Sequence, residues 1–244
     1  MNKLTRRKLI TAGAVAAVAP AGVVAGGNIL KRYGLLPPDC GSLYGAGATL
    51  TYASQRLLMR HSSAREFSPD QISKEPFANP VGRLGKEFQS LKDGGFADWR
   101  LSVDGLVERP ASFSLHELKG FPMRSQITHL ACEEGWSYIA QWTGVPLSHI
   151  LSLVGPSSRA RYVVYRSFQK GWWDSLDMED AMHEQTIVAV GMNGGELPVP
   201  FGGPLRMRVP RQLVYKSVKF LTSLTVTDDM KSFGKGLGAA APEA

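Results

Sequence analysis

The sequence predicts an α+β fold, a mainly β domain built on mixed sheet with a few short helices. Three observations predict it. Short segments of alternating apolar and polar residues outnumber helical ones, no regular strand-helix alternation runs along the chain, and no Gly-rich phosphate turn follows a strand. The last two set aside a Rossmann arrangement. The 244 residues are 43% hydrophobic and 20% charged, ordinary globular composition that excludes disorder as the dominant state.

The chain opens on an address. Leu9 to Leu30 carries no charge, with Arg6, Arg7 and Lys8 before it and Lys31 and Arg32 after it. Its Ala, Gly and Val content makes a weak spanning helix, so an export signal is the expectation for residues 1–35. The order Thr5-Arg6-Arg7-Lys8-Leu9-Ile10 resembles a twin-arginine signal, the type that exports proteins already folded around a cofactor. The expected partner during export is the twin-arginine translocon, and the expected location is the periplasm or cell envelope, anchored in the membrane where the signal is not cleaved. Cys40 lacks a lipobox, since Leu36-Pro37-Pro38-Asp39 precedes it, and reads as incidental.

Residues 36–95, rich in Gly, Pro, Ser and charge, read as an extension wrapping the domain, with one helix at about 51–60. The core is expected over residues 96–230. Trp99 to Val107 alternates and contains an Asp-Gly turn, the pattern of paired strands. Ser114, with Glu117 three residues on, starts a helix that Gly120-Phe121-Pro122 ends. Further strands are expected at 126–131, 161–167, 186–192, 205–210 and 219–227. Helices are expected at 146–154 and 176–181, the latter capped by Asp174 or Ser175. Residues 231–244 read as a flexible tail.

Charge and cysteine content narrow the function classes. Of the net charge of +7, Lys3, Arg6, Arg7, Lys8, Lys31 and Arg32 supply +6 before the first acid, Asp39, leaving +1 for the rest. A body so near neutrality has no global attraction for nucleic acid. Cys40 and Cys132 are the two cysteines, which allows neither a disulfide framework nor a Cys-x-x-Cys metal or haem site.

Two features carry chemistry. Cys132 ends an expected strand and precedes Glu133-Glu134-Gly135-Trp136, where it reads as a nucleophile, a soft-metal ligand or a buried core thiol. The two acids disfavour a thiolate unless a metal overrides them. Arg206 and Arg208 share one face of an alternating strand, and Lys216 and Lys219 follow a short loop. Such a cluster can hold a phosphate, or be a solvated surface. His116, His129, His149 and His183 show no ligand spacing.

Trp99 to Val107, Phe113 to Leu118, Cys132 to Trp136, Trp142 to Leu147, Gly202-Gly203-Pro204-Leu205-Arg206 and Lys216 to Lys219 together resemble, in order, the motifs of the sulfite-oxidase-type molybdopterin domain. The resemblance spans about residues 96–227. It is greatest to the exported, haem-free branch that includes periplasmic protein-methionine-sulfoxide reductases.

The resemblance implies a molybdenum–molybdopterin cofactor, with Cys132 as the thiolate ligand of the metal. It implies that Arg206 and Lys219 meet the pterin phosphate, and that Ser217 and Val218 supply backbone amides. Asn79, in Phe77-Ala78-Asn79, matches an early cofactor contact and Ser167 a polar pocket residue. Glu134 matches an acid near the metal that positions substrate or carries a proton. The implied reaction is two-electron oxygen-atom transfer, in the direction of sulfoxide or N-oxide reduction, on a small-molecule or methionine-sulfoxide-type substrate. A membrane haem or quinone-linked protein is the implied electron donor.

The chain departs from the pattern in two places. Glu133 and Glu134 stand where sulfite oxidases carry arginines, which argues against sulfite, and Phe201 replaces the usual His or Asn. Trp136, Trp142, Trp172 and Trp173 are candidates to line an apolar pocket. The alternative expectation is a cofactor-free exported binding module of the same fold.

Overall fold

The structure, a computed structural model, describes residues 46–59, 61–82 and 84–233. The expected signal within residues 1–35, Cys40 and the tail beyond residue 233 lie outside the described residues. The chain divides into two compact units, residues 1–62 and 63–244. The first contains α1 (Ala46–Met59), which starts earlier than the expected helix. Among the described residues no helix is long and apolar enough to cross a membrane.

The second unit holds two sheets. In one, β1 (Arg100–Gly105), β2 (Ala111–Ser114), β5 (Tyr162–Ser167), β6 (Trp173–Asp177) and β10 (Leu221–Thr227) take the order β2-β1-β10-β5-β6. In the other, β3 (Arg124–Ala131), β4 (Ser137–Pro146), β7 (Ile187–Met192) and β8 (Gly195–Glu196) run in that order, and β9 (Arg206–Arg208) pairs with β7. β1 and β10 pair in parallel, whereas the remaining pairs of named strands are antiparallel. The helices are α2 (Gly85–Asp93), α3 (Leu115–Gly120), α4 (Leu147–Val154) and α5 (Met178–Ala181). Mixed, strand-rich α+β architecture is what the sequence predicts.

The side-chain period of two decides which residues reach which core. Val188 and Val190 of β7 join the main core between the sheets, with Leu101, Val163, Leu224 and Ile150. Ile187 and Ala189 face a second, smaller core with Leu130, Tyr138, Ala140 and Trp142. β7 is therefore buried on both faces, which explains its unbroken apolar run. Met207 of β9 enters the main core, so Arg206 and Arg208 project to the opposite side, onto the second core.

Two local expectations are corrected. Residues 173–177 alternate partly buried and buried positions and pair with β5 as a strand, so Leu176 is not helical. The helix is confined to Met178–Ala181, and its cap is neither Asp174 nor Ser175 but Asp177, whose carboxylate accepts from Asp180 N–H at 2.9 Å. The ten-residue β4 carries the Trp142 to Pro146 segment that the sequence showed only as a motif.

Candidate functional site

Cys132 follows the last residue of β3, and the chain turns at once. Gly135 N–H donates to the Cys132 carbonyl at 3.1 Å, and Cys132 N–H to the Trp136 carbonyl at 2.9 Å. The turn needs φ of 93° at Gly135, a value open to glycine at little cost. Leu130 pairs with Tyr138 across the sheet, so Cys132, two residues on, extends the face that carries Tyr138, Ala140 and Trp142.

The thiol is buried and surrounded by short contacts. Glu134 N–H donates to Sγ at 3.5 Å, and the Oε2 atoms of Glu133 and Glu134 lie 3.6 and 3.7 Å from it. Burial pushes the Cys132 thiol pKa up and the two carboxylates push the same way, against the Glu134 amide. A bound cation is what would convert such a thiol to a thiolate. Glu134 is held below the ordinary carboxylate range, first by the Trp136 indole N–H, which donates to Oε2 at 2.7 Å, and then by the Asn79 side chain and the Cys132 thiol.

Asn79 joins this turn to a second cluster. Its carbonyl accepts from Lys219 Nζ at 3.1 Å, and the Pro200 carbonyl accepts from the same ammonium at 2.7 Å. Burial, then Arg206, pushes the Lys219 pKa down to about 8. The aliphatic chain of Lys219 lies against Gly202, where a Cβ would stand 2.8 Å from Lys219 Cγ. Arg206 is buried and donates to the carbonyls of Phe201 at 2.7 Å and Ser217 at 2.6 Å, with a further hydrogen bond to the Tyr138 side chain.

The loop from Lys216 to Lys219 turns its carbonyls inward. That of Lys216 accepts from Tyr165 Oη at 2.8 Å, that of Ser217 from Arg206, and that of Val218 from Met207 N–H at 2.9 Å. Ser217 Oγ accepts from Val209 N–H at 3.2 Å, and Ser217 N–H donates to the Val214 carbonyl at 2.8 Å. The N–H groups of Val218 and Lys219 have no acceptor among the described residues. Two amides without an acceptor, a half-buried ammonium and a buried guanidinium are the groups that can hold an anion.

Not every expected member of the basic cluster takes part. Lys216 Nζ is withdrawn into an ion pair with buried Asp174 at 2.5 Å and donates to the Ser175 carbonyl at 2.9 Å. Ser167 ends β5 opposite Leu221, near Lys219 in the chain, and its Oγ accepts from Gln169 N–H at 3.0 Å. Phe88, at 5.5 Å from Phe168 and 5.3 Å from Phe220, packs between the residues that follow Ser167 and Lys219.

An aromatic row connects the two clusters, and sequence reasoning found only part of it. Phe77 lies 5.0 Å from Trp136, Trp136 stacks on Tyr138 at 6.1 Å, and Tyr138 meets Phe201 at 5.9 Å and Trp142 at 6.4 Å. Trp172 and Trp173 are not members: Trp172 is exposed and Trp173 packs on Phe233 at 6.1 Å. Tyr138 was missed, although its spacing with Ala140 and Trp142 marks one strand face.

The chain is 39% identical over 132 residues to the putative protein-methionine-sulfoxide reductase subunit YedZ1 of Azospira oryzae, covering 54% of this chain and 50% of that protein. It is 37% identical over 147 residues to the protein-methionine-sulfoxide reductase catalytic subunit MsrP of Xanthomonas campestris, covering 54% and 46%. The chain thus spans about half the length of the curated relatives it matches. The sulfane dehydrogenase SoxCD of Paracoccus pantotrophus superposes with a TM-score of 0.53 at 21% identity, over 70% of this chain and 46% of that one, a likeness of fold. Residues 89–233 match the model of the oxidoreductase molybdopterin-binding domain, and the chain therefore belongs to that family, an oxidoreductase whose cofactor is molybdenum–molybdopterin.

Proposed function

We propose that this protein is an exported oxidoreductase that reduces a sulfoxide or N-oxide, with Cys132 as the thiolate ligand of molybdenum. The observation that carries the reading is the connection Cys132, Glu134, Asn79, Lys219, which links a buried thiol to a cationic cluster through hydrogen bonds to the side chain and the backbone carbonyl of Asn79. The residues fit the cofactor. A single thiol at one end suits a metal whose other ligands come from the pterin dithiolene. The unbonded amides of Val218 and Lys219, the Lys219 ammonium and Arg206 suit a phosphate at the other. Asn79, Ser167 and Ser217 complete the proposed cofactor-binding set. Ser217 acts by orienting the loop, since its own N–H is engaged.

When bound, the cofactor supplies a two-electron couple that exchanges an oxygen atom with substrate. The overall balance is sulfoxide plus two electrons and two protons giving thioether and water. Glu134 is placed to position substrate or carry a proton, its carboxylate held by Trp136 Nε1–H at Oε2 and by the Asn79 side chain. Phe77, Trp136, Tyr138 and Phe201 offer an apolar surface to a thioether. Glu133 and Glu134 repel a dianion, which disfavours sulfite.

The names of the relatives support a methionine-sulfoxide-type substrate and a separate partner subunit. The expected donor is a membrane haem or quinone-linked protein, and the segment 1–35 is the proposed twin-arginine address to the periplasm. The test is molybdenum content and pterin fluorescence of exported wild type and Cys132→Ser, followed by reduced-dye oxidation with methionine sulfoxide, dimethyl sulfoxide and trimethylamine N-oxide. About one Mo per chain with Cys132-dependent turnover is expected. Wild type without metal and pterin, and indistinguishable from Cys132→Ser, would overturn the reading.

A further inference from the structure

Arg208 is completely buried. Its guanidinium carbon lies 5.5 Å from the centroid of the Trp142 ring, and that of Arg206 lies 5.1 Å from the same centroid. Alternation along β9 sends both arginines to the face of the second core, the face that Cys132 extends at the end of β3. Arg208 Nη2 donates to Thr128 Oγ1 at 3.1 Å and to the His129 carbonyl at 2.7 Å. Its Nε and Nη1 have no acceptor among the described residues.

Two guanidiniums against one indole ring without a carboxylate are an unusual core. A buried charge is tolerated when it is paired, and a half-satisfied one is among the most destabilising features a fold can hold. Among the described residues no acid forms an ion pair with either arginine: the buried pairs run instead from Lys216 to Asp174 and from Arg211 to Asp180. Tyr138 and the Trp142 face soften the field of the pair without cancelling its charge. Burial, then Arg206, pushes the Arg208 pKa down to about 9, as expected for a cation that lacks a counter-ion. The missing partner is an anion, and β9 is tied beside Arg208 to the loop whose Val218 and Lys219 amides have no acceptor among the described residues, through Arg206 to the Ser217 carbonyl and Val209 N–H to Ser217 Oγ.

We infer that Arg208 is an additional binding residue of the cofactor site, set behind Arg206, and that its positive charge is balanced by the anionic phosphate end of molybdopterin. The inference rests on the molybdopterin reading above. Its consequence is that the unloaded domain carries an uncompensated cation pair and that loading relieves it. Lys216, the other cation near the loop, is neutralised by Asp174 and has no such role.

Charge and hydrogen bonding separate in two variants. Arg208→Gln keeps an amide donor for Thr128 and His129 and removes the charge, whereas Arg208→Lys keeps the charge. Each is compared with wild type as holoenzyme and as apoprotein from a host unable to make molybdopterin. The readouts are the melting temperature of both forms and the rate at which pterin fluorescence leaves the holoenzyme. Arg208→Gln is expected to release pterin about tenfold faster and to lose more than half of the holo-minus-apo gap in melting temperature. Arg208→Lys is expected to keep most of both. Equal release rates and equal gaps in Arg208→Gln and wild type would overturn the inference. So would an Arg208→Gln chain that fails to fold while Arg208→Lys folds, because Arg208 would then serve the architecture alone.

Inorganic phosphate supplies a second readout that needs no cofactor. Millimolar phosphate is expected to raise the melting temperature of wild-type apoprotein more than that of Arg208→Gln. A wild type that never contains pterin, yet is stabilised by phosphate in an Arg208-dependent way, would sink the molybdopterin reading and leave the anion site standing. Phosphate stabilisation equal in the two proteins would sink the anion-site inference itself.

Discussion

Lys219 Nζ donates to the backbone carbonyl of Asn79 at 3.1 Å, across 140 positions of sequence. One ammonium thus fastens the segment that approaches the Cys132 turn to the loop that presents two free amides. Its pKa is lowered to about 8 by burial, then by Arg206, so the unfolded chain binds the extra proton between there and the ordinary lysine value. Apoprotein stability is therefore expected to rise with pH through that window, while affinity for inorganic phosphate falls as the ammonium is lost. Urea unfolding and phosphate titration between about pH 7 and about pH 9.5 measure both slopes, and Lys219→Met is expected to flatten both.

Glu134→Gln should leave metal content intact, because the carboxylate is no ligand in the proposed site. Its indole partner can still donate to the amide oxygen, so the turn survives. Loss of the proton carrier is expected to lower kcat by about 10²-fold or more. Stopped-flow oxidation of the dye-reduced enzyme by methionine sulfoxide reads this, with molybdenum content as the control.

Gly202 adopts φ of 104°, and a Cβ there would meet Lys219 Cγ at 2.8 Å and Cβ at 2.9 Å. Gly202→Ala is expected to cost about 2 kcal/mol or more in urea unfolding, from strain and crowding together. The displaced lysine should also weaken phosphate binding, a loss that backbone strain alone would not produce.

Asp174 and Lys216 form a buried ion pair whose side chains are 2% and 21% exposed. Asp174→Ala leaves the ammonium unpaired and is expected to cost about 3 kcal/mol. Adding Lys216→Met should recover part of that loss, and a coupling energy of about 1 kcal/mol or more in the double-mutant cycle is the diagnostic quantity.

The fold class was legible because strand alternation survives in the sequence: Leu101 and Val103, or Val163 and Tyr165, reach the main core as written. The capped helix at Ser114 was legible because its hydrogen bonds are local, with Glu117 N–H donating to Ser114 Oγ at 3.1 Å. The end of β6, Leu176 and Asp177, was read as the start of a helix since its strand character comes from pairing with β5, a tertiary contact that Asp174 and Ser175 do not advertise. β4 was obscured by Gly144 and Pro146, turn residues that sit inside it or at its end. At the site, motif order pointed to Cys132, Arg206 and Lys219. It could not show that Lys216 turns away to Asp174, because Asp174 lies 42 positions off.

The parallel pairing of β1 with β10 has a consequence for how the molecule is made. Ser102 Oγ donates to the carbonyl of Thr222, 120 positions later, so one of the first strands of the domain completes its sheet only with the last. That ladder cannot close before β10 has been made, and closure across such a separation is slow. The loop bearing Val218 and Lys219, immediately before β10, therefore takes its final shape with that late long-range closure and not with the local turns that precede it.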